Sequence, residues 1–473
     1  MIRTYLLYAI ISLMGWTTFA QNQVEKTYSL AECITIALEN NLDIKSAAIQ
    51  ANSAKVNHQQ SKAELLPSIN GNFNLGVNTG RSIDPFTNDF INQELTFSNA
   101  GLSINATVFN GFRLINTTKQ NRLNRKASEM ELEATKQDIT LRVTLGYLQV
   151  LNSKAILELA EARLKVTQQQ LKIQEDFYKN ESGNPADYTD ILGQVASDET
   201  NIVIARNSWN SARLNLMQLL NVKDMIALDT KDFMLAIKAY DLSADTVYQD
   251  AVQNWITFKA GELRVEAAKK GVSIAKAQFT PTVSVFGGVN TNYSSAAQTF
   301  TAVGSSIVET GDFITLDGQN LSVLSEETNF DAQRIGFRDQ LDNNLNTVIG
   351  LSVQVPFFNG LRAKNNVRLE KNRVDESIVA LERTHVDIKN TITQVHFDMT
   401  TAYLRYKSFQ KQVEAFQESF RVNEIRFNNG ISNFLNYITS KNNLENAKAN
   451  LINAQYEYLL RVKILEYYRG NFG

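Results

Sequence analysis

Gly101-Leu102-Ser103-Ile104-Asn105-Ala106-Thr107-Val108-Phe109-Asn110-Gly111-Phe112-Arg113 returns, 249 positions further on (101 to 350), as Gly350-Leu351-Ser352-Val353-Gln354-Val355-Pro356-Phe357-Phe358-Asn359-Gly360-Leu361-Arg362. Each copy reads as an alternating strand, an Asn-Gly break and a very long helical stretch, so the chain is an internal duplication. Sheet-forming and bundle-forming sequence are joined twice over, a combination that asks for two different solvents.

The strands sit in uncharged surroundings. Residues 65–80, 95–112, 281–308 and 343–361 contain no Asp, Glu, Lys or Arg, in a chain that is 20% charged. In the first of them Ile69, Phe73, Leu75 and Val77 share one parity, and Asn70, Asn72, Asn74 and Asn78 share the other. That is the period-two pattern of a strand with one apolar and one polar face. Leu102, Ile104, Ala106 and Val108 repeat it against Asn105, as do Ile349, Leu351, Val353 and Val355 against Gln354; Phe286 breaks it in the third segment. A soluble sandwich is one reading of such strands. The other is a membrane barrel, favoured by polar faces free of charge and by lengths that reach the roughly 9 to 11 residues of a tilted membrane strand. In lipid no backbone group can stay unpaired, and four strands cannot close alone, so several copies must each contribute a four-stranded piece. Asn70, Asn72, Asn74, Asn105 and Gln354 are the expected lumen-facing side chains.

Beyond each Asn-Gly break the period changes. Ile392, Val395, Met399, Ala402, Tyr406, Phe409 and Val413 alternate in threes and fours, a coiled-coil seam that Val143, Gly146, Val150, Ser153 and Leu157 repeat more weakly. The two seams superpose at a shift of 256, which predicts one extra heptad in the second copy. No proline interrupts residues 113–178, enough for roughly 100 Å of helix. Each long stretch ends in a break, at residues 180–185 and 428–433, before a returning helix. The expected organisation is a first repeat over residues 21–221, a linker or equatorial element at 222–245 and a second repeat over 246–473. Within them, barrel strands are expected near 65–80, 95–112, 281–295 and 343–361, and long helical hairpins near 113–221 and 362–467.

Composition removes other classes. With 47 basic against 49 acidic residues the chain has no positive excess to hold nucleic acid. The apolar run before Thr18-Phe19-Ala20 reads as a cleavable secretory signal over residues 1–20, and no later run reaches the roughly 20 apolar residues of a membrane-spanning helix. Cys33 is the only cysteine; it reads as a buried helix residue, with a lipid anchor as the less favoured alternative. The only histidines are His58, His385 and His396, and the last two stand about 16 Å apart along a helix, too far to share a metal. No nucleophile elbow or phosphate loop appears, so no enzyme activity, cofactor or metal is expected. Residues 309–342 hold eight acids against Arg334 and Arg338, and read as a long solvated loop that keeps the surface polar, with a lid against anions as the less favoured alternative.

Taken together, the signal, the duplicated strand pairs and the long helical hairpins resemble the outer-membrane efflux protein (TolC) family over essentially the whole mature chain. Ser29-Leu30-Ala31-Glu32-Cys33 resembles the start of the family's first helix, Leu65-Leu66-Pro67-Ser68 its entry into the first strand, and Arg426-Phe427-Asn428-Asn429-Gly430 its periplasmic turn. The resemblance implies a mixed α and β membrane protein: a homotrimeric, twelve-stranded outer-membrane β-barrel continuing into a periplasmic α-helical barrel of coiled-coil hairpins. It implies the exit duct of a tripartite efflux or type I secretion system of a Gram-negative bacterium, serving an inner-membrane pump (RND, ABC or MFS type) through a periplasmic adaptor protein. The family's tip carries acids around the entrance and a basic residue that holds it shut. Aligned on Gly430, those positions fall on Asn436 and Thr439, and on Ser432, so this chain departs from all three. Asp187 matches the acid of the first hairpin turn and Asp190 follows one helical turn later, giving a partial acidic collar or simply carboxylates favoured by a helix start. The expectation is a tip closed by packing and hydrogen bonds. A periplasmic coiled-coil adaptor or scaffold is the alternative from another class; it would explain the seams but not the four uncharged strands.

Overall fold

The computed structural model describes residues 27–83, 88–92, 94–182, 184–223, 227–228 and 237–470; the expected signal lies outside them. In the first copy, in chain order, stand β1 (Thr27–Tyr28), α1 (Leu30–Asn40), α2 (Leu42–Ala63), β2 (Ser68–Asn78), β3 (Arg81–Ile83), β4 (Phe90–Asn92), β5 (Leu95–Phe109), α3 (Arg113–Lys179) and α4 (Pro185–Leu220). A short β6 (Ala227–Leu228) follows and pairs in parallel with β1. The second copy has α5 (Ala244–Asn254), α6 (Ile256–Lys276), β7 (Thr282–Ser294), β8 (Gln298–Leu316), β9 (Gln319–Arg334), α7 (Phe337–Asn343), β10 (Asn346–Gln354), α8 (Arg362–Asn428) and α9 (Phe434–Tyr468). These elements divide into a helical unit, residues 27–54, 125–264 and 377–470, and a sheet unit, Lys55–Asn124 and Val265–Glu376.

In the helical unit, side chains at helical spacing bury two matching cores. Ser29 starts α1 with a capping box, its hydroxyl accepting from Glu32 N–H while the Glu32 carboxylate accepts from Ser29 N–H. One core packs Cys33 and Ala37 of α1 against Ile139, Val143, Tyr147 and Val150 of α3 and Leu216 and Leu220 of α4. The other packs Val247 and Ala251 of α5 against Ile388, Ile392, Val395 and Met399 of α8 and Tyr458 and Leu465 of α9. Cys33 is fully buried, as expected of a packing cysteine, and burial, with Glu32 beside it, pushes its thiol up to about 12.

The extra heptad is absent. Both α3 and α8 are 67 residues long, and both ends keep the shift of the repeat (113 to 362, 179 to 428). Ile139, Val143 and Val150 are buried where Ile388, Ile392 and Met399 are. A three-four seam moved by seven residues lands on itself, so seam pattern alone could not tell a shift of 249 from one of 256.

In the sheet unit, four antiparallel strands lie in the order β10-β7-β5-β2. They fall inside the four uncharged segments. The acidic segment is a correction: residues 309–334 are not a loop but most of an antiparallel ribbon of β8 and β9, joined at Asp317-Gly318. Both turn residues have positive φ, 46° and 80°, the type I′ geometry that Asp-Gly favours. The ribbon is exposed on both faces, so it lacks the in-out alternation that reveals a strand. Its root is fixed by Gln340 of α7, almost fully buried, which accepts from Ser294 N–H (2.9 Å) and donates to the carbonyls of Ser294 (3.0 Å) and Ile335 (2.8 Å). Among the described residues no helix is long and apolar enough to cross a membrane.

Candidate functional site

Strand register decides what the sheet can do. Asn70 pairs with Ser103, Asn72 with Gly101, Asn74 with Asn99, and Ser68 with Asn105. Gly101 in turn faces Asn290 and Asn105 faces Phe286 on β7, and Thr282 faces Gln354 across β7 and β10. Directly paired residues share a face, so Asn70, Asn72, Asn74, Asn105 and Gln354 stand on one uncharged polar face. The opposite face carries Ile69, Phe73, Leu75, Leu102, Ile104, Val285, Val289, Ile349, Leu351 and Val353, each of them exposed. Phe286, out of place by parity, lies over Gly350: a Cβ added there would stand 2.5 Å from its ring, and Phe97 covers Gly76 in the same way at 2.7 Å. These rings cover glycine backbone on the polar face.

Neither β2 nor β10 has a second neighbour among the described strands. Three antiparallel pairings across four strands leave the two free edges running in opposite directions, so β10 of one copy can pair antiparallel with β2 of the next. A sheet with an exposed apolar face and two free edges is incomplete in water and in lipid alike.

Strand becomes helix through one device used twice. Gly111 and Phe112 have φ of 65° and 61°, and Gly360 and Leu361 have 62° and 61°. Two consecutive left-handed residues reverse the backbone so that helix begins at Arg113 or Arg362. Gly111 is demanded twice, because a Cβ there would also collide with Thr280.

At the hairpin turns, α4 starts at Asn184, whose Oδ1 accepts from Ala186 N–H (3.1 Å), and α9 at Asn433, whose Oδ1 accepts from Asn436 N–H (3.1 Å). Gly430 takes φ of 68°, and Glu181, at the matching place of the first turn, takes 55°. The repeat shift sets Asp187 against Asn436 and Asp190 against Thr439. The two acids therefore stand on the first hairpin at the places occupied by neutral residues on the second. Asp187 Oδ1 accepts from Asn184 Nδ2 (3.3 Å); partial burial and the neighbouring Asp190 raise its carboxyl above the ordinary value. Asn436 Nδ2 donates to Ser432 Oγ (3.3 Å), while Thr439 is exposed. Behind the turns Ile191, Phe427 and Tyr437 form a core with Leu171, Phe420 and Phe434.

Sequence reading missed a buried polar cluster of the helical unit. Asp198 of α4 and Lys441 of α9, 0% and 1% exposed, form an ion pair at 3.3 Å. The Thr167 hydroxyl of α3 donates to Asp198 and accepts from Lys441. Arg163 Nε lies 2.8 Å from Asp198 Oδ1, and Gln194 donates to the same oxygen at 2.7 Å. Burial works against the Asp198 carboxylate, but the Thr167 hydroxyl, Lys441 and Arg163 outweigh it and hold the group below its usual range. For Lys441 burial dominates over Asp198 and lowers it. The signal was present: Ile191, Asp198, Ala205 and Ala212 recur every seven residues, as Tyr437, Lys441, Leu444 and Ala447 recur in threes and fours, all buried. A charged residue in a seam position asks for a partner. Among the described residues no group of His, Cys, Asp and Glu could hold a metal ion.

A duplicated chain with a two-faced, open-edged sheet and paired long hairpins belongs to the outer membrane efflux protein family, whose model matches residues 33–222 and 247–471. This family consists of channel proteins of the Gram-negative outer membrane rather than enzymes, which sets the adaptor alternative aside. The chain is 25% identical over 264 residues to the outer membrane protein TolC of Vibrio cholerae, a stretch covering 55% of this chain and 58% of that protein. It is 20% identical over 412 residues to the toxin and drug export protein A of Aggregatibacter actinomycetemcomitans, covering 86% and 78%. In fold it matches a crystal structure of CusC with a TM-score of 0.74 at 17% identity, covering 93% and 91% of the two chains. It also matches VceC of Vibrio cholerae at 0.72 and 16% identity, covering 94% and 97%.

Proposed function

We propose that this chain is the outer-membrane exit duct of a tripartite efflux or type I secretion system. Substrates handed over by an inner-membrane pump and a periplasmic adaptor protein pass through it without bond chemistry, and the pump supplies the energy. The observation that carries this reading is the sheet register, which puts uncharged amides on one face and aliphatic side chains on the other and leaves two complementary free edges. Three copies joined β10 to β2 would make a twelve-stranded barrel with a watery lumen and a lipid-facing exterior, as a homotrimer. The hairpins of the helical unit then form the periplasmic part.

Purified full-length chain should require detergent, run as a heat-modifiable oligomer and conduct ions in planar bilayers. A well-behaved monomer in plain buffer would sink the proposal. At the tip we assign closure to packing of Phe420, Phe427, Phe434 and Tyr437 and to the Ser432–Asn436 contact, with Asp187, Asp190, Gly430 and Thr439 around the entrance. Removing that contact with Ser432→Ala plus Asn436→Ala should raise single-channel conductance; unaltered conductance would refute this placement of the gate.

A further inference from the structure

The duplication brings two copies of one motif to a single place in the sheet unit. Asn110 and Arg113 from the first junction, and Asn359 and Arg362 from the second, line one cleft of about 330 Å³ together with Thr282 and Gln354. No carboxylate is among the described residues that line it. We propose that this cleft binds an oxyanion, a phosphate or carboxylate group gripped between Arg113 and Arg362.

The arginines stand where helix electrostatics disfavours them. Each occupies the first turn of a 67-residue helix with no acid in that turn, and the positive end of a helix dipole repels a cation. Neither guanidinium forms an ion pair or hydrogen bond among the described residues. On α8 the first carboxylate along the chain, Glu370, is held by Arg373. Two helix N-termini and two guanidinium forks lining one cleft leave positive potential with nothing in its lining to neutralise it, and an oxyanion with two or more acceptor oxygens satisfies both forks.

Asn110 is an independent sign of a missing acceptor. Its side chain is 7% exposed and lines the cleft. Its Oδ1 accepts from Leu114 N–H (3.4 Å), so the amide nitrogen is the group left over, and Nδ2 is buried without an acceptor. A buried donor left unpaired costs free energy that a bound anion recovers. The matching Asn359 also spends its oxygen on the helix, accepting from Ala363 N–H at 3.5 Å.

Thr282 and Gln354 belong to the polar face of the sheet, so on the proposed duct reading the cleft opens to the lumen where barrel strand becomes tunnel helix, and repeats with every copy. The ligand is then an anionic solute in transit; the phosphate of a lipid entering by the same mouth offers the same chemistry. Inorganic phosphate should bind the detergent-purified full chain, as read by phosphorus NMR line broadening. Arg113→Gln with Arg362→Gln should weaken it by about tenfold or more, and Arg113→Lys with Arg362→Lys by less, because charge remains while the fork is lost. Asn110→Asp should abolish phosphate binding while the oligomer and its helical circular dichroism persist. Phospholipid phosphorus retained by the wild type and lost in the double glutamine variant, without binding of free phosphate, would confirm the site and assign it to lipid. Phosphate and lipid contents equal in wild type and double variant would overturn it. A chain that binds phosphate but forms no pore refutes the duct alone, and a conducting chain indifferent to these variants refutes the anion cleft alone.

Discussion

At the strand-to-helix junctions the two copies keep Asn110, Gly111 and Arg113 against Asn359, Gly360 and Arg362, whereas at the hairpin turns they keep the uncharged Asn180, Asn184 and Tyr188 against Asn429, Asn433 and Tyr437 but not the acids, Asp187 and Asp190 facing Asn436 and Thr439. Both regions repeat their backbone closely: 65° and 61° answer 62° and 61° at the junctions, and 55° at Glu181 answers 68° at Gly430 at the turns. Backbone shape has therefore been held in both places, and at the turns a stacked aromatic pair with it, Tyr178 on Tyr188 and Phe427 on Tyr437, while charge was held only at the junctions. Where the copies meet at a common cleft their chemistry adds; where the hairpins turn, the first carries acids and the second neutral side chains. The buried cluster is the extreme of this asymmetry, since the positions matching Asp198 and Lys441 are Ala447 and Leu192.

The largest test of that asymmetry is Asp198→Ala, which strands Lys441 in the interior and should cost about 3 to 5 kcal/mol in denaturant unfolding followed by helical circular dichroism. Asp198→Leu combined with Lys441→Met should lose far less, because removing both charges restores an apolar seam. The carboxyl of Asp198 is depressed in the folded chain, so its contribution is fully present above the ordinary aspartate value of 3.8 and is lost as pH falls through the lower folded value. Acid should therefore erase the difference between wild type and Asp198→Leu.

Smaller effects probe the shared backbone. Gly430→Ala forces a left-handed alanine at φ 68° and should cost about 1 kcal/mol. Glu181→Gly is the mirror experiment, relieving a non-glycine residue at φ 55° and stabilising by about 0.5 kcal/mol after the added freedom of the unfolded chain is subtracted. If both changes destabilise equally, the two turns are not equivalent. The smallest shift belongs to Asp187→Asn. The raised carboxyl of Asp187 means its ionised form is disfavoured in the fold, a penalty present at neutral pH and absent below 3.8. The variant should melt slightly higher at pH 7 and no higher at pH 3.

The four strands of the sheet and the helical hairpins were legible because one face of each is apolar and the period of that face, two or three-four, is written in the residues. The ribbon of β8 and β9 was not, because residues exposed on both faces obey no period; only Asp317-Gly318 betrayed it. The supposed extra heptad shows the opposite limit, a pattern so regular that it fits itself at the wrong shift. All five amides named for the lumen share a face because parity alone fixes facing once register is set. The partnership of Asp198 with Lys441 was out of reach, since nothing in either neighbourhood names the other across 243 residues. The acid at Asp187 was visible by its family position, but not its relation to Asn436, which needs the repeat to be superposed at the hairpin turns.

Under the proposed trimer, the open margins of β2 and β10 also fix an order of events. A newly exported copy has backbone that lipid rejects, so subunits must meet before or during insertion, escorted until then by something that shields those margins. In a cell making two forms of the chain, one form with a ruined β10 would still offer an intact β2, enter growing rings and leave each of them unclosed. Damage at that margin would therefore be genetically dominant, whereas damage at the outer ribbon would be diluted by the healthy copies beside it.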